Sequence, residues 1–204
     1  YSIKTWNREA FMNDKWGRNF LGTPPQGRAD YAFMQHIIAS MNSNSGRCAI
    51  LFPHGVLFRD EEKEIRKNLI LQDDIECVIG LGPNLFYNSP MEACIIICNK
   101  NKTSEMKNRI LMINAVHEVI RKNGESLLLD KHIEKISSTY HEKIEIEGFS
   151  KVTSLDEIKE KDYNLNISLY AYKGFLEISE EVLHDDAIES WQNSAALTQQ
   201  AYNE

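Results

Sequence analysis

The sequence predicts an α/β domain built on a mixed sheet, and two observations carry the prediction. Three continuous apolar runs, at 48–52, 75–81 and 93–98, have the length of strands, and a charged helical stretch separates the first from the second. Strands that are apolar without alternation are covered on both faces, as in sheets flanked by helices. The second and third runs are joined by residues 82–92, which carry no helical period. A parallel return needs a longer crossover, so these two strands should lie antiparallel.

Residues 1–28 are aromatic, basic and turn-rich, with Trp6, Arg8, Trp16 and Arg18 ahead of Gly22-Thr-Pro-Pro-Gln-Gly27, and they read as a long ordered loop. From Ala29, apolar residues recur at Phe33, Ile37 and Met41 with Met34 and Ile38 beside them. That spacing, behind Asp30 as an N-cap, predicts a buried helix ending near 42–46. The strand at 48–52 is closed by Pro53-His54-Gly55. Residues 60–71 should form a charged helix with Ile65 and Leu69 inward and Glu62 placed to pair with Arg66 one turn on.

Residues 109–115 supply one more strand, and 130–142 an amphipathic helix with Ile133, Ile136 and Tyr140 inward. Ser154 with Glu157 three residues later is a capping box that opens a short helix. Leu165, Ile167 and Leu169 alternate with polar neighbours as in a strand, and the stretch from Ser179 onward reads as a long acidic helix.

A chain of 204 residues, 42% hydrophobic and 26% charged, can bury a core of its own. Its apolar runs are far shorter than the roughly 20 residues that span a bilayer, and 1–11 lack a basic-then-apolar leader, so no membrane partner and a cytoplasmic location are expected. Cys48, Cys77, Cys94 and Cys98 all lie in strand-like runs without metal-ligand spacing, so free buried thiols and no metal are expected. The net charge of -7 is unevenly placed: seven acids and no Lys or Arg fall in 174–204, leaving 23 acids against 23 bases before them. The body is neutral, so charge does not exclude a nucleic-acid partner.

Gly80-Leu-Gly82 resembles the start of a dinucleotide fingerprint, but Pro83 follows and no helix comes next. His54 sits where open α/β sheets place ligands, at the carboxyl end of a strand, with Pro53 beside it. The connection Gly82-Pro-Asn-Leu-Phe-Tyr-Asn-Ser-Pro90 holds adjacent aromatics in what is usually a polar surface segment. Phe86 and Tyr87 either cover the end of the core or wait for a flat partner.

The order of these parts carries a resemblance. ADYAFMQHI, then FPHGVLFR, IRKNLI and VIGLGPNLFYNSPMEACIIICNK, continuing through ILMINA and NLNISLYAY, together resemble the adenine-specific DNA methyltransferases, most closely the modification subunit of type I restriction-modification systems. The likeness covers 1–172 and is most specific in 24–100. It implies the C-terminal half of a Rossmann-like, class I S-adenosylmethionine-dependent methyltransferase domain at 1–172, with an antiparallel last strand, and an acidic helical extension at 173–204.

In that family an Asn-Pro-Pro-Tyr or Asn-Pro-Pro-Phe tetrapeptide holds the target amine, and SIKTWNREAF looks like the segment that follows it, which places Tyr1 at the final aromatic. Neither the Asn and prolines nor a glycine-rich cofactor loop is present, so the chain alone is expected to be inactive and to bind S-adenosylmethionine weakly. By the resemblance, Asp30 and Phe33 border the cofactor, and Phe86 or Tyr87, with Asn84, forms a wall of the pocket for a flipped adenine; Pro53 and His54, from their place at a strand's end, are candidates for the active-site edge. Phe86 is favoured, because a buried Tyr needs a hydroxyl partner. Double-stranded DNA and the specificity and restriction subunits of the same system are the implied partners. The alternative is a non-catalytic module that docks a specificity subunit through the acidic helix.

Overall fold

The computed structural model describes residues 3–86, 89–122 and 124–172. The expected helix from Ser179 and the acidic extension at 173–204 lie outside the described residues, as do Tyr1 and Tyr87. The elements run α1 (Arg8–Met12), α2 (Asp30–Ala39), β1 (Arg47–Pro53), α3 (Lys63–Leu71), β2 (Ile75–Leu81), β3 (Ala93–Asn99), β4 (Arg109–Ala115), β5 (Ile120–Lys122), β6 (Glu125–Leu127), α4 (Asp130–Glu142), β7 (Ser150–Ser154) and α5 (Leu155–Glu160). Among the described residues no helix is long and apolar enough to cross a membrane.

Five strands form a mixed sheet in the order β1-β3-β2-β4-β7, with β3 antiparallel to both β1 and β2, β2 parallel to β4, and β7 antiparallel to β4. The short connection at 82–92 therefore does return antiparallel. Because β3 runs against both neighbours, β1, β2 and β4 point the same way. The register puts Pro53 and Leu81 opposite Ala93, and Leu81 opposite Ala115. The ends of three strands and the loop 82–92 consequently meet along one sheet edge.

Alternate residues of the strands feed two cores. Val78, Cys94, Ile96 and Met112 pack on one face with Met34 and Ile38 of α2, Leu69 of α3 and Ile158 of α5. Cys77, Ile79, Leu111 and Ile113 face the other side, against Ile136 and Tyr140 of α4. This two-sided burial is why these strands read as unbroken apolar runs. Buried ions tie the remaining chain to the sheet: Lys102 Nζ donates to Asp73 at 2.6 Å and to the carbonyls of Ile75 and Arg109, holding the starts of β2 and β4 together.

Several expectations are corrected. The N-terminal loop contains α1, capped by Asn7, whose side chain accepts from the Ala10 amide. Asp30 is not an N-cap; that position is Ala29. The inward face of α2 is Tyr31, Met34, Gln35 and Ile38, while Phe33 is 51% exposed. Two polar side chains displace the expected ones because they find partners: Tyr31 donates to the Val56 carbonyl at 2.9 Å, and Gln35 accepts from the Leu21 amide and donates to the Gly22 carbonyl.

Glu62 and Arg66 do not pair. A 3-10 turn at Asp60–Glu62 breaks the helical spacing, so Glu62 meets Arg59 at 3.2 Å. Arg66 turns inward instead, to the carbonyls of Tyr163 and Arg59. On α4, Ile133 points outward and His132 and Thr139 are buried. Ser154 caps α5 as expected, but Glu157 binds Lys151 and Lys161, so only half of the capping box forms. Residues 165–169 make no strand: Asn164 and Asn166 bond nearby amides and set a 3-10 turn at Ile167–Leu169.

Candidate functional site

The sheet edge shared by Pro53, Leu81, Ala93 and Ala115 gathers the polar and aromatic groups that no core explains. The loop leaving β2 turns at Asn84, whose backbone adopts the left-handed conformation (φ 59°) that Asn tolerates better than most residues. Phe86 follows and forms an isolated bridge with Ser89. Its ring is half-buried and packs on the core below β2 and β4. One side of it borders a cavity of about 420 Å³, together with Asn84, Ser89, Glu125 and Ser126. That volume lies within the ~300–1,000 Å³ usual for small-ligand sites.

Residues 124–127 of the β5–β6 hairpin complete the lining. Lys122 pairs with Glu125, and Gly124 takes φ 84°, a left-handed conformation that glycine adopts without steric cost. The Asn-Gly dipeptide at 123–124 is the sequence signal that could have found this hairpin, which was not among the expected elements. The Ser126 amide donates to the Asn84 carbonyl at 2.9 Å and fastens the hairpin to the loop.

His54 opens a 3-10 turn directly after β1. Its amide donates to the Glu92 carbonyl at 3.1 Å, its Nδ1 meets the Glu92 carboxylate at 3.1 Å, and Phe58 packs edge-on against the ring. Both ends of the loop 82–92 are thus pinned, one to the hairpin and one to β1. His54 Nε2 is buried and has no hydrogen-bond partner among the described residues. It borders a second cavity of about 370 Å³ with Asn114, His117, Asn166 and Tyr172. Glu92 lies 38 residues from His54, a separation at which nothing in the sequence links the two. Pro53 ends β1, buried opposite Ala93.

The two glycines at the end of β2 serve packing. A Cβ on Gly82 would meet the Val116 carbonyl oxygen at 2.5 Å, and one on Gly80 the Ile167 Cδ1 at 2.8 Å. That close approach accounts for the Gly-Leu-Gly spelling without a phosphate.

Phe33 sits elsewhere, on α2, in a mainly apolar cavity of about 420 Å³ bordered by Trp6, Phe11, Ala29, Ala32 and His36. The N-terminal loop forms its far wall and is held there by Trp6 Nε1 donating to the Gln26 carbonyl and Arg8 Nε to the Pro24 carbonyl. Asp30 does not border this cavity; it is buried one turn earlier, 3.4 Å from Arg59. Arg59 also meets Glu62, whose carboxyl burial pushes up in spite of that guanidinium. Among the described residues no group of His, Cys, Asp or Glu could hold a metal ion.

Residues 1–177 match the family model described as N-6 DNA Methylase. The chain is 40% identical over 177 residues to the type I restriction enzyme MjaVIII methylase subunit of Methanocaldococcus jannaschii, covering 81% of this chain and 30% of the relative. It is 31% identical to the HindI methylase subunit of Haemophilus influenzae, covering 99% of this chain and 46% of the relative. The crystal structure of a type I restriction-modification methyltransferase subunit from Streptococcus thermophilus superimposes with a TM-score of 0.76 at 37% identity, over 83% of this chain and 36% of that one. The chain thus spans less than half the length of these relatives.

Proposed function

The chain belongs to the N-6 DNA methylase family, and from that premise we propose that it is part of an adenine-N6 DNA methyltransferase subunit of a type I restriction-modification system. Double-stranded DNA is its substrate, and the specificity and restriction subunits of the same system are its partners. The observation that carries this reading is Phe86: an aromatic ring at the sheet edge, with one side on the core and the other on a base-sized cavity.

An enzyme that modifies a base must first take it out of the stack, and an aromatic face replaces part of the stacking lost. Phe86 provides that face, with Asn84 beside it; Tyr87 is its neighbour in the loop, and Tyr1 is assigned the opposite face. The end of the loop at Glu92, hydrogen-bonded to His54 beside Pro53, anchors the segment that carries Phe86, which matters because a small misplacement of a bound group slows reaction steeply.

The apolar cavity at Phe33 fits a flat heterocycle such as the adenine of S-adenosylmethionine, since its lining is chiefly aromatic and aliphatic. When bound, this cofactor supplies an electrophilic methyl group for the adenine amine. Phe33 would cover the ring, and Asp30, 3.4 Å from Arg59, would steady the helical turn that presents Phe33.

Transfer of radiolabelled methyl groups from S-adenosylmethionine to duplex DNA by the full-length protein, with its subunits, tests the reading. N6-methyladenine should appear in the DNA. Label found only at cytosine, or in no base, refutes it.

A further inference from the structure

The hairpin of β5 and β6 carries a group that neither folding nor the assignments above use. Ser126 alternates with exposed neighbours on β6, so its side chain points in, and it is only 4% exposed. Its amide is satisfied by the Asn84 carbonyl. Its hydroxyl is not: Oγ is buried and has no partner among the described residues. Buried hydroxyls are nearly always hydrogen-bonded, and leaving one unpaired is unfavourable. Ser126 itself lines the same cavity as Phe86 and Asn84.

An apolar ring and a serine whose hydroxyl is unpaired, both in the lining of one cavity, match a planar heterocycle: the ring takes its face and the hydroxyl one of its edge atoms. Ser can donate to a ring nitrogen or accept from an amine. We propose that Ser126 donates a hydrogen bond to a ring nitrogen of the flipped target adenine while Phe86 covers its face, which makes the hairpin the edge-reading wall of the base pocket. The inference rests on the methyltransferase reading. Ser126 positions the base; it takes no part in bond making. The backbone bond to Asn84 keeps the hairpin in place without the side chain, and the hydroxyl, with no partner to give up, is free to turn about Cα–Cβ toward a ligand.

The test uses the full-length protein with its subunits, comparing wild type with S126A and S126T on duplexes whose target adenine is replaced in turn by its 1-deaza, 3-deaza and 7-deaza analogues. S126A should keep or raise the melting temperature, since no protein partner is lost. It should slow single-turnover methylation of adenine about 3- to 10-fold, the worth of one neutral hydrogen bond, while S126T recovers part of the rate. Wild type should lose a similar factor on one analogue, and on that analogue S126A should lose nothing further. A rate within twofold of wild type, a penalty that multiplies independently on all three analogues, or a melting temperature that falls in step with the rate overturns the proposal. Fluorescence of 2-aminopurine at the target position separates the two failures: wild type that flips and methylates leaves the enzyme reading standing, and wild type that does neither removes both.

Discussion

Replacing Phe86 separates a base-stacking ring from one that merely covers the core. Complete burial of a Phe makes its truncation to Ala cost ~3–5 kcal/mol. Phe86 is half-buried, so F86A should cost nearer 2 kcal/mol of stability. The lost stack is worth about 1–3 kcal/mol, a five- to 150-fold loss in productive base capture. These magnitudes overlap, so F86A alone does not decide. F86L does: it keeps most of the apolar volume on Leu81 and its neighbours and should cost less than about 1.5 kcal/mol, yet it removes the flat face. In the full-length protein, F86L should nearly match the wild-type melting temperature while losing most of the 2-aminopurine signal at the target position and slowing methylation. If F86L keeps signal and rate while F86A lowers only the melting temperature, Phe86 is a core cover.

Three further outcomes are expected. F33A should change stability by less than about 1 kcal/mol, because the ring is already half in water, yet weaken S-adenosylmethionine binding about 2- to 10-fold in equilibrium dialysis with the full-length protein; unchanged affinity would falsify the cofactor assignment. At the buried cluster, R59M should destabilise by about 3 kcal/mol, since it strips the guanidinium from the Glu62 carboxylate. E62Q should be neutral or stabilising at pH 7: the folded carboxyl titrates above its ordinary 4.5, so whatever stability Glu62 gives is present below that value and lost as pH rises. Urea titrations in which E62Q grows less stable than wild type with rising pH would contradict this. Finally, Cys48 lies opposite Cys98 in the register, and the hydrogen bond from Cys98 holds its thiol down to about 7. Iodoacetamide should label Cys48 first, with a rate that falls as pH drops through 7, and C98A should move that midpoint up toward 9.0; a wild-type midpoint near 9 would disprove the pairing.

The strands read at 75–81, 93–98 and 109–115 and the helix at 130–142 were legible because length and apolar pattern are properties of a single segment. The antiparallel return of β3 followed from the length of 82–92 alone, and the aromatic of the candidate pocket from its odd place in a loop. Only the tertiary structure decided which face of α2 is buried, because Tyr31 and Gln35 go inside on account of carbonyls and amides 13 to 25 residues away. The same holds where Arg66 leaves Glu62 for the carbonyl of Tyr163, 97 residues on, and where 165–169 abandons a strand-like alternation for local Asn bonds. The cavity beside Phe86 belongs to this second class, since part of its lining is a hairpin some forty positions later. Apolar burial is nearly non-directional and leaves its period in the sequence. A polar group is buried only where a specific partner meets it in space, and that partner's position is set by the packing of the whole domain.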